Sequence, residues 1–219
     1  SDLGLTNTHF VTPHGLDNDE HYTTAYELAL LTKYALENKE FAKIVSTQNY
    51  SVSINNSYKN IHNTNELLGY LNGVYGVKTG FTNGANRCLV SSCVRGDLDI
   101  ICVVLGADTK KFRTQDSIKL IEYAFSNFEM VDIKSIIEKN FLKWQSEYSQ
   151  SFHIEKGISN NIKTYIEHFQ YSEYPVDKSK IKDIRTNITN TFFFEAPLLE
   201  KSKIGLLTCF VDDIKICEL

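Results

Sequence analysis

The sequence CLVSSCVRGDLDIICVVL occupies residues 88–105 and contains two runs rich in β-branched and other apolar residues, 88–94 and 98–105. Arg95-Gly96-Asp97 separates these runs and supplies the residue types that favour a tight turn. Because neither run alternates strictly between polar and apolar residues, we expect both strands to be buried on two faces. The stretch therefore predicts a β-hairpin whose strands are central in a sheet.

Helical patterns lie on both sides of this hairpin. Thr24 and Glu27 have the Ser/Thr-x-x-Glu spacing of a capping box, which predicts a helix that runs to about Asn38. Apolar residues recur every three or four positions over 118–128, which predicts a helix packed on the sheet. Two shorter patterns lie between the first helix and the hairpin: helical spacing at 41–45 and strand-like alternation at 50–54. Residues 1–128 therefore predict a mixed α/β domain.

The remaining residues, 129–219, show a different pattern. Short alternating stretches separated by turn residues replace the longer periods, at 152–154, 162–169, 184–188, 204–211 and 214–219. No long helical period is evident there, and regularly spaced short strands are typical of a β-sandwich or barrel. We therefore expect a small all-β domain that begins near residue 129.

Composition excludes several classes of protein. The net charge is −4, and there is no basic tract, which argues against a nucleic-acid partner. The longest apolar runs are too short to cross a bilayer, and the N-terminus lacks a signal-peptide pattern, so membrane association would depend on segments outside these 219 residues. The five cysteines form no Cys-x-x-Cys pair, and we interpret them as buried thiols.

Three histidines near the N-terminus, His9, His14 and His21, could suggest a metal site. Their spacing matches no helical or zinc-binding pattern, and no cysteine or carboxylate completes a ligand set. We therefore expect no metal site at these histidines.

Residues 76–82 contain the tripeptide Lys78-Thr79-Gly80. Lys-Thr-Gly is one of three signatures of the penicillin-recognising serine enzymes, together with Ser-x-x-Lys and a Ser-x-Asn type of triplet. So short a motif also arises by chance, in which case it would simply be an exposed strand edge. The surrounding sequence strengthens the assignment of the motif, because further segments match one enzyme family in the same order: 7–10, 13–17, 63–68, 88–92 and 103–107.

On these segments, residues 3–128 resemble the serine D-alanyl-D-alanine carboxypeptidases, which are low-molecular-mass penicillin-binding proteins of peptidase family S11. Residues 195–201 are similar to the β-rich domain that follows the catalytic domain in that family. The resemblance implies a partial β-lactamase/transpeptidase-like domain at 1–128. It also implies a parent enzyme at the outer face of the cytoplasmic membrane, which trims D-alanine from peptidoglycan pentapeptides through an acyl-enzyme. Such an enzyme would need no metal or organic cofactor and would be inhibited by β-lactams.

The resemblance also implies roles for individual residues. Lys78 would supply a positive charge and a proton donor, Thr79 a hydroxyl for the terminal carboxylate, and Gly80 room for a closely bound substrate. The backbone N–H of Phe81 would be one of two oxyanion-hole donors. Arg113 would hold a carboxylate bidentately, or it is a solvated arginine at a helix start.

His14 would belong to a loop that borders the active site. The family keeps its Ser-x-x-Lys and Ser-x-Asn motifs upstream of the segment that resembles residues 3–17, so we expect this chain to lack both and to be inactive alone. Three chance matches, at 179–182, 53–55 and 159–161, are discounted. Ser179 follows Lys-Thr-Gly and lies in the predicted β-rich domain.

Two other functions remain open. A non-catalytic binding or scaffolding module could keep the same fold, and a class A β-lactamase shares Lys-Thr-Gly. The β-lactamase class lacks a β-rich C-terminal domain, and the glutamate-bearing loop of that class is not visible after Asp17. An incomplete catalytic domain would expose apolar surface, which predicts that the fragment can form a homodimer.

Overall fold

The computed structural model describes residues 3–219. The chain divides into two compact units, Ser1–Ser126 and Asn127–Leu219. The elements of the first unit are α1 (Ala25–Leu36), α2 (Lys39–Ser46), β1 (Asn49–Ile54), β2 (Ser57–His62), β3 (Val74–Thr82), β4 (Asn86–Arg95), β5 (Leu98–Ala107) and α3 (Lys110–Asn127).

The predicted hairpin forms the centre of the first unit. Strands β3, β4 and β5 make an antiparallel sheet in that order, and Arg95 pairs with Leu98 across a two-residue turn. Among the described strands β5 pairs with β4 alone, so the expectation that both hairpin strands are central is correct only for β4. The strand predicted at 50–54 is also confirmed, as the first strand of the β1–β2 hairpin.

The core of the first unit lies between this sheet and helix α3. Ile121 of α3 is fully buried against residues of β4 and β5, which confirms the predicted packing of this helix. The other buried members of the cluster are Leu67, Leu89, Cys93, Cys102 and Val104. Burial of these apolar side chains removes them from water and is the main stabilisation of the unit.

Helix α1 begins as predicted, but its capping box is only half formed. The Thr24 hydroxyl accepts a hydrogen bond from the Glu27 backbone N–H at 3.1 Å. The Glu27 carboxylate instead accepts hydrogen bonds from the backbone N–H of Asn7 and from the Thr8 hydroxyl. The carboxylate therefore ties the N-terminal segment to α1, and these hydrogen bonds, with Thr8 first, lower the pKa of Glu27.

The elements of the second unit are β6 (Phe128–Asp132), α4 (Ile133–Tyr148), a short 3-10 helix (Ser149–Ser151), β7 (His153–Glu155), β8 (Glu173–Asp177), a second 3-10 helix (Lys178–Asp183), β9 (Ile184–Asn190), β10 (Phe193–Glu195), β11 (Gly205–Val211) and β12 (Ile214–Glu218). Three small sheets form, with β12-β11-β9 and β6-β8 antiparallel and β7-β10 parallel. The predicted sheet-rich character of this part of the chain is therefore confirmed.

The expectation that this part contains no long helix is wrong. Helix α4 starts at the N-cap Asp132, whose carboxylate accepts a hydrogen bond from the Ser135 backbone N–H at 2.9 Å. Ile133 and Ile137, four residues apart, are both fully buried in the core of the unit. Isoleucine is also a strong strand former, so its spacing here does not by itself distinguish a helix from a strand.

The strand predicted at 162–169 is also absent, because these residues form an irregular segment. Ile166 and Phe169 pack against the core, and the Gln145 side chain donates a 2.7 Å hydrogen bond to the Thr164 carbonyl. The alternating apolar residues of this segment therefore pack into the core, although the segment itself forms no strand. Among the helices of residues 3–219, none combines the length and the apolar character needed to cross a membrane.

Candidate active site

Strand β3 is an edge strand of its sheet, and it carries Lys78, Thr79, Gly80 and Phe81. The buried Asn65 side chain fixes the start of this segment by donating a 2.8 Å hydrogen bond to the Gly76 carbonyl. The outer edge of β3 is left without a partner strand among the described residues. Such an edge presents backbone N–H and C=O groups to which an extended peptide can pair.

A cleft of about 830 Å³ opens beside this edge. The structure brings all six residues singled out in the sequence to its lining: His14, Lys78, Thr79, Gly80, Phe81 and Arg113. Residues that sequence reasoning did not single out also line the cleft, among them Asp17, Thr64, Glu66, Arg87 and Lys110. Asp17, Thr64 and Glu66 lie in segments that match the family, but no motif assigned them to the site, because their positions in the cleft depend on long-range folding.

Lys78 and Thr79 are held by short polar contacts. The Lys78 ammonium donates a 2.6 Å hydrogen bond to the Thr79 carbonyl. The Thr79 hydroxyl lies 2.6 Å from the Thr64 hydroxyl, and either atom can donate. These contacts keep a cation and a hydroxyl side by side on the strand, an arrangement suited to an anionic ligand.

Arg113 lies in the first turn of α3 but is only 3% exposed, so its interpretation as a solvated arginine is wrong. Its guanidinium donates a 2.7 Å hydrogen bond to Glu66, and Lys110 lies 3.7 Å from the same carboxylate. The Thr114 hydroxyl donates to the other Glu66 oxygen. Arg113 Nε has no hydrogen-bond partner among residues 3–219.

Glu66 is ionised in this arrangement. Its partial burial by itself raises the pKa, but the hydrogen bond from Thr114 and the charge and hydrogen bond of Arg113 outweigh burial. The pKa of Glu66 is therefore below its ordinary value. Glu66 neutralises part of the positive charge at this end of the cleft.

The loop that bears His14 is attached to the turn between β3 and β4. The Asp17 carboxylate accepts a 3.2 Å hydrogen bond from the Gly84 backbone N–H. Hydrogen bonds from Thr82 and Gly84 lower the pKa of Asp17. The His14 ring nitrogen Nδ1 accepts a 3.2 Å hydrogen bond from the Leu16 backbone N–H, which organises the loop itself.

The other histidines have similar local contacts. His21 Nδ1 accepts a 3.1 Å hydrogen bond from the Val11 backbone N–H, and His9 pairs with Tyr22 as an isolated β-bridge. Within residues 3–219, no group of three histidine, cysteine, aspartate or glutamate side chains is arranged to hold a metal ion.

Phe81 and Arg87 face each other across β3 and β4. They are cross-strand partners, and the guanidinium carbon of Arg87 lies 3.6 Å from the centre of the Phe81 ring. This distance is within the range of a cation–π contact. Phe81 remains 53% exposed, so the pair forms part of the open wall of the cleft.

The chance matches to the nucleophile motif lie elsewhere. Ser179 belongs to the second unit, and its hydroxyl donates a 2.6 Å hydrogen bond to the Asp177 carboxylate. The cysteines are free thiols, of which Cys93, Cys102, Cys209 and Cys217 are buried. Cys88 is only partly buried and lines the cleft.

The chain is similar in sequence to known proteins of one enzyme family. The family model described as D-alanyl-D-alanine carboxypeptidase matches residues 1–109. The chain belongs to this family. D-alanyl-D-alanine carboxypeptidase DacF of Bacillus subtilis is 39% identical over 129 residues, which are 58% of this chain and 33% of that protein. DacA of Escherichia coli is 29% identical over 213 residues, which are 96% of this chain and 49% of that protein.

Solved structures of penicillin-binding proteins are similar to this chain in fold. Penicillin-binding protein 5 of Haemophilus influenzae matches with a TM-score of 0.69 and 26% identity, over 100% of this chain and 60% of that one. This match confirms the predicted fold class, a partial transpeptidase-like domain followed by a sheet-rich portion. The chain spans between one third and one half of the length of these two curated D-alanyl-D-alanine carboxypeptidases.

Proposed function

We propose that this chain is part of a serine-type D-alanyl-D-alanine carboxypeptidase that removes the terminal D-alanine from peptidoglycan stem peptides. The observation that carries the proposal is the Lys-Thr-Gly tripeptide on the free edge of β3, beside a cleft that also contains the buried Arg113. Membership of the D-alanyl-D-alanine carboxypeptidase family supports the same activity.

The chemistry follows from the edge strand and its charges. A stem peptide would pair with β3 as an added strand, with its terminal carboxylate near Thr79 and Arg113. Lys78 would donate a proton and stabilise negative charge beside the nucleophile. The Phe81 backbone N–H would stabilise the oxyanion of the tetrahedral intermediate, a contribution of about 3 to 4 kcal/mol in other hydrolases.

The nucleophile would be a serine in a Ser-x-x-Lys motif outside these 219 residues. The match at 179–182 follows Lys-Thr-Gly, and Ser179 lies in the other unit. The serine would attack the penultimate carbonyl, D-alanine would leave, and water would release the trimmed peptide. A β-lactam would acylate the same serine. An enzyme with this substrate would act in the cell envelope, outside the cytoplasmic membrane.

Residues 1–128 would be the C-terminal portion of the catalytic domain, and residues 129–219 the β-rich domain that accompanies it. Several aromatic side chains of the first unit are largely exposed, including Tyr26, Tyr58 and Tyr70 at 73%, 83% and 75%. Exposed apolar surface favours association, so the chain alone is expected to form homodimers at high concentration. A single monomeric species in sedimentation would contradict this.

The test is covalent labelling with a fluorescent penicillin. It compares the 219-residue chain with a longer protein in which the family's Ser-x-x-Lys and Ser-x-Asn segments precede the same chain. Label on the longer protein alone, retained in Ser179→Ala and formed about a hundredfold or more slowly in Lys78→Ala, would support the proposal. Label on Ser179 of the chain by itself would contradict it, and label on neither protein would favour a non-catalytic binding module.

A further inference from the structure

The cleft is more positive than the protein as a whole. Four cationic side chains line it, against two carboxylates: Lys78, Arg87, Lys110 and Arg113 against Asp17 and Glu66. The chain carries a net charge of −4, so the positive balance is local to the cleft. A cleft whose lining carries an excess of one sign of charge concentrates ligands of the opposite sign.

Three of the four cations have polar partners within the protein. Lys78 donates to the Thr79 carbonyl, and Lys110 and Arg113 both lie beside Glu66. Arg87 differs, because its guanidinium has no ion pair and no hydrogen-bond acceptor among residues 3–219. Its guanidinium carbon lies 3.6 Å from the centre of the Phe81 ring, within the range of a cation–π contact.

This contact with the ring uses none of the hydrogen-bond donors of the guanidinium in a hydrogen bond, so they remain available to a ligand. An arginine held flat against an aromatic ring presents a planar set of donors that matches a carboxylate. The nearby acidic groups do not use these donors. Asp17 accepts hydrogen bonds from Thr82 and Gly84, and Glu66 is paired with Arg113. Arg87 is therefore poised for an acceptor that the described protein does not supply.

The position of Arg87 indicates which part of a peptide it would meet. In the proposed function the terminal carboxylate lies near Thr79 and the reacting carbonyl faces the N–H of Phe81, two residues further along β3. Two residues of a strand span about 7 Å. Arg87 is level with Phe81 on the neighbouring strand β4, and both side chains line the cleft, so the side chain of the peptide residue before the reacting carbonyl would reach the guanidinium from within the cleft.

We propose that Arg87 is a specificity-determining residue that binds a second carboxylate, carried by the stem peptide on the N-terminal side of the scissile bond. The inference rests on the proposed function and refines its substrate class to peptides with an acidic group next to the D-Ala-D-Ala terminus. Arg87 makes no contact with the reacting atoms in this proposal, so its effect is on substrate selection.

The test uses two acetylated peptides that end in D-Ala-D-Ala and differ only at the preceding residue, glutamate in one and glutamine in the other. Binding to the 219-residue chain is measured by NMR titration, with the Arg87 side-chain Nε–H as a local signal. We expect the glutamate peptide to bind about two- to tenfold more tightly, as for a partly exposed ion pair. This preference should shrink at high salt.

Two variants separate the charge of Arg87 from general effects. Arg87→Gln should abolish the preference for the glutamate peptide and leave the affinity for the glutamine peptide unchanged. Arg185→Gln is the matched control, because it removes the same charge from an arginine that also lies over a ring, 5.3 Å from Phe210 in the second unit. This control should preserve the preference.

Equal binding of both peptides to the unmodified chain, or a preference that survives Arg87→Gln, would overturn the inference and leave the proposed function standing. Failure of the unmodified chain to bind either peptide would count against the proposed function itself, and the inference would fall with it. Loss of binding of both peptides in Arg87→Gln would also overturn the inference, since it would indicate a general role in place of selection.

Discussion

At the scale of single residues, Arg113 and Glu66 link the stability of the first unit to its cleft. Both side chains are largely shielded from solvent, and they form an ion pair in which a guanidinium nitrogen lies 2.7 Å from a carboxylate oxygen. Removing one partner of a buried ion pair leaves the other charge uncompensated, which costs more than the pair contributes. Arg113 is therefore expected to matter to folding as well as to ligand binding.

Arg113→Ala is expected to lower the free energy of unfolding by about 2 to 4 kcal/mol, because Glu66 would stay partly buried without its partner. Urea denaturation followed by far-UV circular dichroism measures the change. The double variant with Glu66→Gln is the control and should recover part of the loss. A single variant as stable as the unmodified chain would contradict this role for the ion pair.

The lowered pKa of Glu66 predicts a dependence of stability on pH. Its ordinary pKa is 4.5 and its folded value is lower, so its contribution is fully present above about pH 4.5 and is lost as the pH falls through the folded value. Glu66→Gln should show a shallower loss of stability between pH 5 and pH 3 than the unmodified chain, measured by denaturation at each pH. Identical slopes would show that Glu66 carries no such linkage.

At the scale of elements, Gly73 immediately before strand β3 and Gly80 within it have different conformational requirements. Gly73 has a φ of +85°, and a Cβ there would lie 2.3 Å from the Val94 carbonyl oxygen. At Gly80 the nearest atom to an added Cβ is Cys88 Cβ at 3.7 Å, an ordinary contact. The fold therefore demands glycine at 73 but tolerates a Cβ at 80, where in the proposed function a closely bound ligand would require glycine.

Gly80→Ala is expected to change the free energy of unfolding by less than about 1 kcal/mol while weakening the binding of D-Ala-D-Ala peptides at least several-fold. Gly73→Ala, the matched control, should cost at least about 1 to 3 kcal/mol because of its backbone conformation. Denaturation and peptide titration of both variants measure these effects. Unchanged peptide binding by Gly80→Ala would argue against a ligand lying along β3.

The elements also show where sequence patterns succeed. The α1 start and the β4–β5 turn were predictable because Thr24 and Gly96 determine local backbone geometry. Helix α4 was not predicted, because Ile133, Ile136 and Ile137 suit a strand as well as a helix, and core packing decided between them.

At the scale of the whole molecule, each unit has its own core. The buried cluster around Ile137 is formed only by residues of the second unit, and the cluster around Ile121 only by residues of the first. Trp144 is the single tryptophan of the chain and lies on α4. Its fluorescence therefore reports on the second unit alone.

Residues 127–219 are expected to fold as an isolated polypeptide, because their core is complete without the first unit. Cooperative thermal unfolding of that polypeptide, followed by Trp144 fluorescence, measures this. Ile137→Ala should destabilise it by about 2 to 5 kcal/mol, as truncation of a fully buried isoleucine does elsewhere. A polypeptide without a cooperative transition would show that the second unit depends on the first.

By itself the sequence determined the secondary structure around residues 88–105, the family through Lys78-Thr79-Gly80 and its collinear segments, and the sheet-rich character of the C-terminal part. Those features depend on the conformational propensities and the order of residues that are close together in the chain, and both can be read directly from the sequence. Only the tertiary structure decided that Arg113 is buried against Glu66, that Asp17 holds the His14 loop, and that Arg87 stacks on Phe81. Such contacts join residues distant in the chain or on neighbouring strands, and they form only when the packing of a core brings those residues together.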